Sequence, residues 1–288
     1  MRRRRTGCFG TFIIILLIIA IPVGVILYDS NNRLVTDEFE LFYDNLPIGF
    51  DGYRIALLAD LHGAEHGANN ERLVERVREA RPDIIAIAGD LIDDYQPGNP
   101  VEQQIEISRT LVTQLVQIAP VYYVTGNHEW ATGMIQDIFA MLEESGVTVL
   151  RNQYRTLSMG GDTIILAGVD DPNGPADMTT PRELVERIHA SENPDFIVML
   201  SHRNNNLRLY SDLDVDLVLS GHAHGGMVRL PFTDGLVGPQ GELFPTYTSG
   251  VYSRGSTNMV VSRGLGNHFG WTRFLNNPHV VIVELRAR

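Results

Sequence analysis

Along residues 53–224, short apolar runs recur, and each ends abruptly on Asp, Asn or His. The runs at 53–59, 84–88, 121–125, 196–200 and 217–220 are too short for buried helices and read as buried strands. Each is followed at once by a polar cluster: Asp60-Leu61-His62, Gly89-Asp90, Gly126-Asn127-His128-Glu129, Ser201-His202 and Gly221-His222-Ala223-His224. Between the first runs lie segments with helical spacing. Residues 69–81 place Leu73, Val74 and Val77 on one face before Arg81-Pro82, residues 101–118 end near Pro120, and residues 131–145 close at Gly146. This alternation predicts an α/β domain with a largely parallel sheet. The second half reads as richer in strands, at 147–150, 163–169, 259–262 and 280–285, with one helix at 181–190. No repeat or linker divides it, so one domain with two packed sheets is expected.

In open α/β sheets, ligands gather at the carboxyl ends of the strands. Strand ends that deliver Asp, His and Asn but no Cys suggest a metal site. Asp60 and His62 are two apart, as are His222 and His224. Extended backbone would point each pair the same way, toward one ion or two neighbouring ones. Glycines before Asp90, Asn127 and His222 suit sharp turns where backbone passes close to the ions. Singly these motifs are weak, since a Gly-Asp is usually a turn and a lone His after a strand is usually a hydrogen-bonded edge residue. The ordered series carries the inference. Hard oxygen donors with imidazole suit Mn, Fe or Zn over Ca.

Composition excludes several chemistries. All 23 basic residues are Arg, so neither a Schiff-base lysine nor a P-loop lysine is available. The formal charge is −12 even with Arg2–Arg5 included, which disfavours a nucleic-acid partner. The single cysteine, Cys8, excludes an intrachain disulfide and a thiolate metal cluster.

Residues 1–28 read as a basic stub and a transmembrane anchor. After Arg2–Arg5 no charge appears until Asp29, and about 20 such residues cross a bilayer core of roughly 30 Å. The basic end should stay cytoplasmic, with the rest outside the cell membrane. A cleaved signal peptide is the rival reading, but the exit Val25-Ile26-Leu27-Tyr28 is bulky where cleavage wants small residues. Twin-arginine export through Arg4-Arg5 is a third.

Taken together, the ordered blocks resemble the signature of the calcineurin-like metallophosphoesterases: D-x-H, G-D, G-N-H-[D/E], a single His, then G-H-x-H. The anchor and the tail Ser262-Arg263-Gly264-Leu265-Gly266 are similar to the bacterial membrane-anchored branch. The resemblance implies a four-layer αββα sandwich of two mixed sheets, with 29–50 as a connector and 51–288 as the catalytic domain. It implies two divalent ions (Mn, Fe or Zn), one held by Asp60, His62 and His224, the other by Asn127, His202 and His222, with Asp90 bridging. His128 would contact the phosphate and give a proton to the leaving oxygen. The expected substrate is a phosphate ester: a small phosphodiester, a nucleotide-linked sugar or a lipid-linked phosphate. Two other classes stand beside this one: a silent binding module, which should lack ligands, and a metal hydrolase of non-phosphate esters.

Other polar residues carry softer expectations. Arg203 could hold a substrate phosphate bidentately, though a salt-bridged arginine is the plainer reading. Glu129 would orient His128 or face solvent. His66, in a glycine-rich loop, could support the site, and His189 should be exposed on its helix. The loop of Asn267, His268, Phe269, Trp271 and Arg273 could cap the pocket or touch a membrane interface, though simple packing of Phe269 and Trp271 is the plainer reading. His279 is given no role.

Overall fold

The computed structural model describes residues 6–288 other than Asn193 and Phe269. The Arg2–Arg5 cluster and the packing of Phe269 therefore lie outside the described residues. The chain runs α1 (Thr6–Asn32), β1 (Val35–Tyr43), β2 (Arg54–Leu58), α2 (Glu71–Ala80), β3 (Ile84–Ala88), α3 (Val101–Leu115), β4 (Val121–Val124), α4 (Asn127–Ala131), α5 (Ile135–Glu144) and β5 (Thr148–Val149). It continues through β6 (Gln153–Met159), β7 (Asp162–Val169), α6 (Pro181–Ser191), β8 (Ile197–Ser201), α7 (Leu207–Ser211), β9 (Leu217–Ser220), β10 (Gly250–Arg254), β11 (Thr257–Val261) and β12 (His279–Ala287).

Two six-stranded mixed sheets result, in the orders β1-β12-β2-β3-β4-β5 and β10-β11-β9-β8-β7-β6. Their strands read as continuous apolar runs because both faces are covered. In β2, Ala56 and Leu58 pack under α2, α3 and α5 with Leu73, Val77, Leu111 and Ile138. Ile55 and Leu57 point the other way, into the layer between the sheets, and meet Leu166, Val198 and Leu219. The outer face of the second sheet is closed by Leu184, Val185 and Ile188 of α6 and Leu207 and Tyr210 of α7. This is the four-layer αββα sandwich of the metallophosphatase fold.

Three expectations need correction. Residues 29–50 are not a connector, because α1 runs to Asn32 and Val35–Tyr43 forms a full strand in parallel register with β12. Its run of Asp37, Glu38 and Glu40 hides the alternation that Leu41 and Tyr43 complete. β6 and β10 were not expected either; both are sheet-edge strands with exposed polar residues, paired antiparallel to one neighbour. The helix expected at 131–145 is two, broken at Gly133 (φ 72°).

α1 is long and apolar enough to cross a membrane, with a mean hydropathy of 2.9 over its best window, none of it buried against the domain. Its last turn is tied to the domain. The Asn31 side chain accepts from Arg273 N (3.1 Å) and Asn267 Nδ2 (3.0 Å) and donates to Arg273 O (2.9 Å). Asn277 Nδ2 donates to Asp29 O at 2.7 Å.

Candidate metal centre

The polar clusters meet at the carboxyl edges of β2, β3, β4, β8 and β9, where the two sheets face each other. Two groups of buried donors converge: Asp60, His62 and His224, and Asp90, His202 and His222. Within them, His62 Nε2 lies 3.1 Å from His224 Nε2, and His202 Nε2 lies 3.1 Å from His222 Nδ1. Two nitrogens on one tetrahedral ion at about 2.0–2.1 Å would stand roughly 3.3 Å apart, so both spacings fit donors arranged around a cation. Asn127 Oδ1 lies 3.2 Å from His202 Nε2. Asp90 Oδ2 sits between the groups, 3.1 Å from His202 Nε2 and 3.9 Å from His62 Nε2. The His202 ring is set from behind, since its Nδ1 donates to Ala88 O at 2.7 Å and leaves Nε2 facing the site.

Local backbone does not follow the extended i, i+2 argument. Asp60, His62, Asp90, His222 and His224 all have positive φ, between 46° and 67°. Each pair converges through tight left-handed turns, pinned by hydrogen bonds such as Asp60 N to Gly89 O and His62 N to Asp90 O, both 3.0 Å. The glycines serve the approach of these turns to one another rather than to an ion. A Cβ on Gly126 would strike the Asp90 carboxylate, and one on Gly221 would sit 2.8 Å from Asp60 Oδ2.

Asp60, with an unexposed side chain, takes the His222 backbone N–H on both oxygens, at 3.0 and 3.1 Å. Glu129 neither orients His128 nor faces solvent. It is buried and accepts from the backbone N–H groups of Gly126 (2.7 Å), Asp90 (3.1 Å) and Ile92 (3.2 Å), which fixes the turn carrying Asp90 to the start of α4. Burial, then the Asp90 charge, pushes its carboxyl up to about 6.

His128 stands on α4 beside a set of residues that the motifs do not contain. Its Nδ1 hydrogen-bonds Asp94 and lies 3.3 Å from Asp93 Oδ1. Asp93 Oδ2 also faces His268 Nδ1 at 2.8 Å and His62 Nδ1 at 3.5 Å. From the side chains alone, burial works against a charged His128 ring. Asp93, Asp90 and Asp94 outweigh it and push the ring up to about 10. His202 is likewise raised, to about 9, by Asp90 and Asp60 against its burial. His222 goes the other way, to about 2, through burial and the neighbouring His202 and Arg203.

A cavity of about 200 Å³ opens over these residues, lined by Asp90, Asn127, His128, Arg203, His222 and His224 together with Met227, Gln240, His268 and Trp271. Arg203 reaches it as a salt-bridged arginine. Nε and Nη2 hold Asp171 at 2.6 and 3.1 Å, and Nη1 faces His222 Nε2 at 3.0 Å. Trp271 is half-buried and lines the cavity, and Arg273 is wholly buried against Gly266 and Asn267. His66 is buried and bonds Leu265 O at 2.9 Å, so it ties loops together. His279 does the same for β12 and β1 through Asp37 at 3.1 Å. His189 is exposed, its ring 3.2 Å from Leu213 O. No motif signals Asp93 or Asp94, which follow Gly89-Asp90 in the loop after β3. No motif signals Gln240.

The fold and these converging His and Asp residues define a metal-binding hydrolase domain of the metallophosphatase type. The sequence model described as calcineurin-like phosphoesterase matches residues 53–226, and the chain belongs to that family. It is 29% identical to the uncharacterized metallophosphoesterase YkuE of Bacillus subtilis, over 100% of this chain and 98% of that one. A transmembrane protein with metallophosphoesterase domain from Danio rerio is 28% identical over 77% of this chain and 52% of its own, so the chain spans about half its length. Among solved structures, the sulfate thiohydrolase SoxB of Thermus thermophilus superposes with a TM-score of 0.52 at 15% identity, covering 85% of this chain and 58% of that one, a likeness of fold.

Proposed function

We propose that the chain is a two-metal phosphoesterase held at the outer face of the cell membrane by α1. One observation carries the reading: Asp90 Oδ2 stands between two histidine-bearing donor groups, and His128 shares their cavity. Asp60, His62 and His224 would hold one ion, Asn127, His202 and His222 the other, and Asp90 both. Divalent ions there, Mn, Fe or Zn, would supply Lewis acidity to a phosphoryl group and to the attacking water. The chain does the rest. Asn127 and Arg203 orient phosphate oxygens, Arg203 held rigid by Asp171. His128 carries a proton on Nε2 toward the leaving oxygen, because Asp93 and Asp94 occupy its Nδ1 side. Tethering at a bilayer favours a lipid-linked phosphate by proximity.

The full chain, purified in detergent with Mn, should hydrolyse an aryl phosphomonoester or phosphodiester. Turnover of aryl acetate alone would overturn the phosphoesterase reading, and ion binding with no turnover on any of these would favour a silent binding module.

A further inference from the structure

Five large apolar side chains stand out of the domain in two neighbouring segments. Leu230, Phe232, Leu243 and Phe244 belong to the irregular loop 227–247, and Leu275 to the loop before β12. Their exposures run from 40% at Leu275 to full exposure at Phe232. Phe232, Phe244 and Leu275 also hold positive φ, 68°, 55° and 50°. Left-handed backbone is unfavourable for bulky residues, so the chain spends conformational energy to keep these groups out of the core.

Both segments are fastened to the end of α1. Asn31, in its last turn, bonds both backbone groups of Arg273. The next residue, Phe274, accepts from Arg229 N at 2.9 Å and pairs with Val228. Phe232 follows three residues on, within about 10 Å of chain at roughly 3.3 Å per residue. Phe244 is held by its N–H to Leu236 O at 2.9 Å, and Leu236 in turn bonds Val228 O at 2.8 Å. The same loops supply Met227, Gln240 and Trp271 to the wall of the metal cavity.

We propose that loop 227–247, with Leu275, docks on the bilayer surface from which α1 emerges, so that the mouth of the metal cavity opens against lipid headgroups. This rests on the reading of α1 as a membrane span. Phe and Leu at the headgroup boundary gain from burying apolar area that the domain leaves in water. The cavity then receives ester groups presented from the lipid side.

The test uses the full chain with Cys8→Ser and one introduced cysteine, Phe232→Cys, Phe244→Cys or Asp195→Cys, labelled with bimane in vesicles of phosphatidylcholine and phosphatidylglycerol. Asp195 is exposed at the opposite ends of the strands, just before β8. Nitroxide carried on the lipid should quench the labels at 232 and 244 several-fold more than the label at 195. A water-soluble quencher should reverse that order. Equal quenching at all three positions with the protein floating on the vesicles overturns the docking alone. Failure to float overturns the membrane span and the docking with it. A Phe232→Ser/Phe244→Ser double variant gives a second readout. Its turnover of a vesicle-borne phosphate ester should fall several-fold while that of a soluble aryl phosphodiester stays at the parent rate, and equal effects on both would also overturn the docking.

Discussion

At the residue scale, His128 is the group whose chemistry depends most on its neighbours. Replacing it with Ala should leave both ions bound, measured by elemental analysis, and lower kcat by about 10²–10⁴ on a phosphate ester with a poor leaving group. The loss should shrink with a good leaving group, and equal losses on the two would argue against proton donation. Asp93→Asn should move the basic limb of the pH–rate profile to lower pH, since Asp93 is among the carboxylates that raise His128. The chelated protein carries its own pH signature. His128 and His202 have raised folded values, about 10 and 9, so the stability they add is complete below about 6.5 and is lost as pH rises through 9 to 10. His66, His222 and His279 are lowered by burial, to about 4, 2 and 4, so each disfavours the folded state once pH falls below about 6.5. Urea midpoints in chelator should therefore peak near about pH 6.5 and fall on both sides; a midpoint that climbs steadily through pH 10 would contradict this assignment. The donors were legible in the sequence as residue types at strand ends. Asp93, Asp94 and His268 were not, because they reach His128 from loops whose approach depends on packing between the sheets.

At the element scale, the short helix α4 and the turn after β3 form one unit through Glu129. Glu129→Gln presents an amide N–H to backbone donors and should cost about 1–3 kcal/mol, seen as a lower Tm by calorimetry. An unchanged Tm would mean the carboxylate is dispensable to that turn. The strands around the site were readable because both their faces are buried and their apolar runs are unbroken. β1, β6 and β10 were not, for an opposite physical reason. Each lies at a sheet edge with one face toward water, and polar residues such as Arg155 and Ser158 in β6 interrupt the pattern. The break between α4 and α5 was likewise hidden, because Gly133 sits in a stretch whose apolar residues keep helical spacing on both sides.

At the scale of the whole molecule, the domain begins earlier than its motifs do. A chain starting at residue 33 keeps β1 and should fold, with a cooperative melt. One starting at residue 51 leaves β12 unpaired along its β1 side and should aggregate, because an open edge strand invites pairing with other chains. Size-exclusion chromatography of the two separates these outcomes, and a monodisperse chain from 51 would show β1 to be an ornament of the sheet. The position of β12 has a consequence for biogenesis. The last element in the chain lies inside the first sheet, between β1 and β2, which are among the first elements synthesised. Until it arrives, both present open edges, and the neighbouring layer can close over them only incompletely. Assembly must then wait for the final strand to leave the ribosome and, for a chain crossing a membrane, the translocon. The interval in which the nascent domain needs shielding from self-association is set by the stretch of chain that separates β2 from β12.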